Sequence, residues 1–171
     1  MRRLVILGAG GHGQTVSDIA AQTGKYTDII FLDDNAENVS GKCKDFLLYK
    51  NEDTEMYPAF GNNDARLEWE NVFIKNEIRL AKIIHPSAYI SPTAVIDDGS
   101  VVFPYAILNT NSIVKKACII NCGAIVDHGC IIEEGVHVSP GAIVKAENCI
   151  PSKMKIESGE VIPIRHYPVQ G

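Results

Sequence analysis

An aliphatic residue returns at every sixth position from Ile84 to Ile162 without a break. The series is Ile84, Ile90, Ile96, Val102, Leu108, Val114, Ile120, Val126, Ile132, Val138, Val144, Ile150, Ile156 and Ile162. A small residue follows four positions after most of them: Ala88, Ala94, Ser100, Ala106, Ser112, Cys118, Ala124 and Cys130, then Val136 and Ala142. A six-residue period suits neither a 3.6-residue helix nor one long strand. It suits a coil of three short strands, one hexapeptide per side, in which residues 18 apart lie above one another. Stacked coils bury continuous aliphatic columns, so each coil depends on its neighbours. The expected fold of this part is an all-β left-handed parallel β-helix of hexapeptide repeats.

The second phase of the pattern decays at Asn148, Met154 and Glu160. Regular coils are therefore expected over about 84–149, with 150–162 an imperfect last coil or a capping strand. Cys118 and Cys130 fall at the small inward phase and read as core. Cys122 is out of that phase, and with His128 it makes no zinc-ligand spacing, so no metal site is expected.

The first eighty residues follow a different rule. Arg3 to Leu7 reads as a buried strand, Gln14 to Gln22 as a helix, and Thr27 to Asp34 as a second strand ending in acids. Between the first two lies Gly8-Ala9-Gly10-Gly11-His12-Gly13, which satisfies G-x-G-x-x-G in strand–turn–helix context. Such a loop lets backbone N–H groups approach phosphate at a helix N-terminus. Gly10, Gly11, His12 and Gly13 are thus candidate substrate-binding residues. Asp33, twenty residues beyond Gly13, and Asp34 stand where acids would meet a ribose or base. Only about fifty residues separate Asp33 from the first coil. That is room for half a dinucleotide fold, which favours a nucleotide-linked ligand over NAD. Residues 35–57 are polar and give no clear element. Tyr57 to Asn63 suggests a short strand and turn, and Asp64 to Lys75 a helix capped by Asn63. The expected division is a Rossmann-like α/β domain over 1–80 and a β-helix over 81–171.

Bulk properties limit the partners. A formal net charge of −5 argues against a general nucleic-acid binder. No apolar run approaches the ~20 residues needed to span a bilayer. The basic, apolar start breaks at Gly8 and reads as a strand rather than an export signal. The expected location is the cytoplasm, with five reduced cysteines.

Six segments occur together and in order: Gly8 to Gly13, Phe31-Leu32-Asp33-Asp34, Gly61-Asn62-Asn63, Ile84-His85-Pro86-Ser87-Ala88, Val126-Asp127-His128 and Val136-His137-Val138-Ser139-Pro140-Gly141-Ala142. Across residues 3–145 the chain resembles the hexapeptide-repeat sugar acyltransferases, which include sialic-acid O-acetyltransferases and UDP-4-amino-sugar N-acetyltransferases. The resemblance implies a homotrimer with active sites between subunits. It implies acetyl-CoA as donor and a nucleotide-linked amino sugar as acceptor. It departs from the family at Gly129, where a second acid usually follows the catalytic histidine. It departs again after Asn148, where further coils usually follow; this shortened C-terminus leads to an expectation of weak coenzyme binding.

Acetyl transfer to an amine or hydroxyl needs a base and a donor for the tetrahedral oxyanion. His128 is the candidate base, since it lies two residues past an inward aliphatic and an imidazole suits proton transfer near neutral pH. Asp127 is its candidate partner, although adjacent residues of a strand point to opposite faces. By resemblance His137 lies near the thioester, and amides near Gly141 are candidate oxyanion donors. His12 would reach the acceptor from the glycine loop, while His85 reads as a structural junction. Three alternatives stay open: sialic-acid-type O-acetylation, a trimeric binding or scaffold protein without catalysis, and an NAD-sensing domain carried on a β-helix.

Overall fold

The computed structural model describes residues 2–169. Strands β1 (Arg2–Leu7), β2 (Tyr26–Leu32) and β3 (Thr54–Pro58) form a parallel sheet in the order β2-β1-β3. Helices α1 (Gly11–Gln22) and α2 (Asn63–Lys75) complete the N-terminal domain. The central strand is covered on both faces, as its unbroken apolar run requires. Leu4 and Ile6 pack with Val16 and Ile19 on one side, and Val5 and Leu7 with Phe46 and Phe73 on the other.

Local differences from the expected elements have simple causes. Helix α1 starts inside the glycine loop, three residues earlier than Gln14. Strand β2 stops before the acids, because Asp33 turns back to accept amide hydrogens. The cap of α2 is Asn62, whose side chain accepts from Ala65 N at 2.9 Å, rather than Asn63. The polar segment holds a 3₁₀ helix, Cys43–Tyr49, anchored by Phe46 against Trp69 and Phe73.

From Ile83 the chain forms fourteen two-residue strands in three parallel stacks. The first sheet stacks Ile83–Ile84, Val101–Val102, Ile119–Ile120, His137–Val138 and Lys155–Ile156. The second runs from Tyr89–Ile90 to Val161–Ile162, and the third from Val95–Ile96 to Cys149–Ile150. This is the left-handed parallel β-helix, with partners 18 residues apart as the repeat demands. The inward aliphatics from Val102 to Ile156 are fully buried.

The regular coils continue through Ile162, past the point where the sequence pattern decays. Asn148 occupies the small inward position and is fully buried. Its Nδ2 donates to Lys145 O at 2.7 Å and Pro163 O at 2.9 Å, and its Oδ1 accepts from Tyr167 N at 2.8 Å. A buried amide is tolerated when its polar atoms are paired. Here the pairing ties the last coil to the chain folding back across it, where Cys149 N donates to Tyr167 O.

The two parts share a core. The outward residues Ile83, Val101 and Ile119 of the first sheet are fully buried, packed in one cluster with Leu4, Ile6 and Tyr57. The next residue of that outward column is His137, at the edge of the interdomain seam. His85 contacts α1, with Nε2 3.0 Å from Gln22 Oε1, as suits a junction.

Candidate active site

The glycine loop is shaped from below. Gly8 has φ +100°, and a Cβ there would lie 3.0 Å from Ala59 O. A Cβ on Gly13 would lie 2.0 Å from Gly8 O, so α1 can approach the loop only without a side chain. Gly10 and Gly11 are different: nothing lies within 4 Å of a Cβ built on either. The fold does not need glycine at those two positions, and the space above them is open to a ligand. Helix α1 has no side-chain N-cap and no acid in its first turn. Its leading amides, on Gly11, His12 and Gly13, therefore have no intrahelical acceptor and suit an anion.

Asp33 ties this loop to the end of β2. Asp33 accepts from Ala9 N, Asn35 N and Ala36 N, each at 2.8 Å. These amides hold its carboxyl below the usual carboxylate range. Asp34 accepts from Cys43 N at 3.0 Å. Asp33 is committed to backbone amides beside the loop, while Asp34 is exposed.

His12 crosses the seam. Its ring stacks on Phe103, with centroids 6.0 Å apart and planes 7° apart, and lies 6.3 Å from Tyr57. Its Nε2 is buried without a hydrogen-bond partner. Burial, then the nearby Arg66 and His137, push its pKa down to about 4. His137 is also pushed down to about 4, by burial, Arg66 and Lys155. Both rings are neutral at pH 7, so Asn121 Nδ2 donates to His137 Nε2 across 3.1 Å. Ser139 is 2% exposed, and its Oγ has no partner. Buried polar atoms are normally paired; His12 Nε2 and Ser139 Oγ are exceptions, as are Tyr57 Oη and the Glu70 carboxyl oxygens.

Gly141 sits on the corner beside Ser139 with open space around it. Its amide, however, donates to Cys122 O at 2.9 Å within the coil ladder, as Ala142 N does to Ser139 O. In the coil ladder, then, the Gly141 and Ala142 amides are already paired.

His128 lies elsewhere, on the corner between the second and third sheets, and its side chain is 57% exposed. Asp127 Oδ1 accepts from both His128 N at 2.7 Å and His128 Nδ1 at 3.0 Å. The objection that neighbours on a strand diverge does not apply, because the strand ends at Val126. In the turn that follows, the carboxylate folds over its neighbour's ring. Asn109 Nδ2 steadies Asp127 from the coil below at 3.2 Å. Asp127 thus fixes the orientation of the His128 ring.

One chain therefore carries two separate groups. His12, Asn121, His137 and Ser139 meet at the seam, and Asp127 with His128 stands on a different corner. Sequence reasoning overlooked Phe103, Asn121 and Ser139. Their signal was a stacked column, 18 residues apart, one step after an inward aliphatic. Among the described residues no group of three His, Cys, Asp or Glu is placed to hold a metal ion, and no helix is long and apolar enough to cross a membrane.

Comparison with known proteins identifies the family. The profile of the PglD N-terminal domain matches residues 3–73. The acetyltransferase domain of PglB from Neisseria gonorrhoeae, solved in complex with acetyl coenzyme A, is 35% identical, with a TM-score of 0.88 over 94% of this chain and 81% of that one. PerB from Caulobacter crescentus, solved with CoA and GDP-perosamine, is 24% identical, with a TM-score of 0.76 over 99% of this chain and 92% of that one; at that distance it shows the fold. WeeI from Acinetobacter baumannii is 16% identical, with a TM-score of 0.68 over 99% of this chain and 92% of that one, and likewise shows the fold. By its identity and coverage with the PglB domain, the chain belongs to the hexapeptide-repeat sugar acetyltransferase family.

Proposed function

We propose that this protein transfers an acetyl group from acetyl-CoA to the amino group of a nucleotide-linked sugar, at sites completed between copies of the chain in a homotrimer. The observation that carries this reading is the division of the site. The anion-binding loop and the neutral seam histidines occupy one face, and the acid-paired His128 another. Outward residues of the second and third sheets are apolar, with Tyr89 55%, Val95 52% and Ile113 36% exposed. Closed three-fold symmetry about an axis running alongside the coils would cover them and bring one copy's His128 toward its neighbour's seam.

In this arrangement the glycine loop and the first turn of α1 hold the acceptor's diphosphate. Asp33 and Asp34 wall that pocket, and their backbone contacts fix its shape. The acceptor amine attacks the thioester carbon, so an N–C bond forms and a C–S bond breaks. Asp127 engages Nδ1 of His128, which leaves Nε2 to take the proton from the amine and return it to the departing thiolate. His137, with Asn121 behind it, and Ser139 offer polar contacts to the carbonyl oxygen at the seam. The relatives' bound molecules support the substrate classes: acetyl coenzyme A in the PglB domain, CoA and GDP-perosamine in PerB.

Release of CoA thiol tests this directly. Purified protein with acetyl-CoA is offered a UDP-4-amino-sugar, GDP-perosamine and free sialic acid. Release that depends on a nucleotide amino sugar is expected. Release with free sialic acid alone would move the activity to O-acetylation, and none with any acceptor would contradict the enzyme reading.

A further inference from the structure

Helix α2 lies along the corner of the β-helix between the third and first sheets, and three of its side chains meet successive coils. Glu70 packs on Gly99, where a Cβ would come within 2.4 Å of the carboxyl oxygens. Arg66 Nε donates to Ala117 O at 2.8 Å, and its Nη2 to Gly135 O at 2.9 Å. Asn63 Nδ2 donates to Lys153 O at 2.9 Å. Gly99, Ala117, Gly135 and Lys153 are the same corner position on four coils, each with left-handed backbone at φ 88°, 59°, 73° and 62°.

The helix and the coil stack run at different steps. From Asn63 to Glu70 the helix rises by about 10 Å, whereas the four corner positions span about 14 Å, three strand spacings of ~4.8 Å. The fork of Arg66 takes up the difference by engaging both middle positions. The guanidinium is fully buried. It also donates through Nη1 to Phe60 O at 2.9 Å and through Nη2 to Asn63 Oδ1 at 2.8 Å. Phe60 follows Ala59, whose amide bonds Leu7 O and whose carbonyl backs Gly8. One side chain thus links two coils to the loop that supports the glycine turn.

We propose that Arg66 is a positioning residue for acetyl transfer: it sets the height of the glycine loop along the coil stack, and so seats His12 on Phe103 beside His137. The consequence for turnover rests on the function proposed above; the geometric part does not. Lysine cannot substitute, because a single ammonium on a flexible stem cannot hold a planar fork of carbonyls in three segments. The charge of Arg66 also lies close enough to both seam histidines to disfavour their protonation.

The test is Arg66→Lys, with three readouts on the full chain. The ring-proton signals of His12, displaced by the Phe103 ring in the native protein, are expected to move toward those of free imidazole in NMR spectra. Calorimetric affinities for UDP, held within one domain, and for acetyl-CoA, held by the coils, are expected to stay within about threefold, while kcat falls at least about tenfold. Unchanged His12 signals or an unchanged kcat would overturn the proposal, as would loss of both affinities together, which marks general damage. If the native protein shows no acetyl transfer, the NMR result alone decides the positioning claim. If Arg66→Lys fails to fold, Asn63→Ala removes the Lys153 contact and one partner of the guanidinium. It must then move the His12 signals in the same direction by a smaller amount, and no movement would overturn the proposal.

Discussion

The seam and the outer corner use the same side chain in opposite ways. His12 and His137 are packed among aromatic and polar neighbours and held neutral; His12 Nε2 has no hydrogen-bond partner, and His137 Nε2 meets only the Asn121 amide. His128 is exposed and already engaged by a carboxylate. A buried neutral imidazole is suited to holding a ligand in place. An exposed imidazole backed by an acid is suited to moving a proton, once something excludes water from it. In the proposed reaction the seam binds and the corner transfers the proton.

The largest effect should come from the corner. His128→Ala is expected to lower kcat by about 10²–10⁴-fold, the usual contribution of a general base, with little change in melting temperature because the side chain is exposed. CoA release and thermal melts measure both. A variant that keeps more than half the native activity would remove His128 from the chemistry.

Asp127→Asn should cost less. The amide can still accept a hydrogen bond, but it cannot stabilise the imidazolium that forms as the proton arrives. A fall in kcat of about tenfold, or roughly 1.4 kcal/mol in the barrier, is expected with KM nearly unchanged. A change confined to KM would place Asp127 in binding instead.

The seam should also announce itself through stability. His12 and His137 stay neutral in the folded chain down to about 4, below the ordinary value of 6.5. As pH falls from about 6.5, the unfolded chain takes up protons that the folded chain refuses, so stability declines until both are protonated near pH 4. Denaturation followed from pH 7.5 to 4.5 should show this decline. His12→Gln should remove about one proton from its slope, and an unaltered slope would mean that His12 is not held neutral at the seam.

How far these features can be read from sequence depends on what constrains each residue. The coils are legible because every inward position must fill the same interior, so the six-residue period survives from Ile84 to Ile162. The end of the stack was misread at Asn148. A polar residue at an inward position looks like decay until its partners, supplied by chain 15 to 19 residues later, are known. The glycine loop was visible because Gly8 and Gly13 answer to backbone contacts within a short segment. Phe103, Asn121 and Ser139 were not, since outward corner positions carry no packing period. Arg66 looks like an ordinary exposed helix charge, and only the carbonyls of two distant coils explain its burial. The pairing of Asp127 with His128 turned on where a two-residue strand stops, a boundary that the hydrophobic pattern does not mark.

Subunit complementation tests the divided site most directly. His128→Ala and His137→Ala proteins, each expected to be weakly active alone, are mixed, reversibly dissociated and reassembled. Random assortment in a closed ring of three leaves about a quarter of interfaces with an intact His128 facing an intact His137. CoA release is therefore expected to recover to about a quarter of the native rate. Recovery no greater than the average of the two separate variants, in assemblies shown to have exchanged subunits, would contradict a site shared between copies.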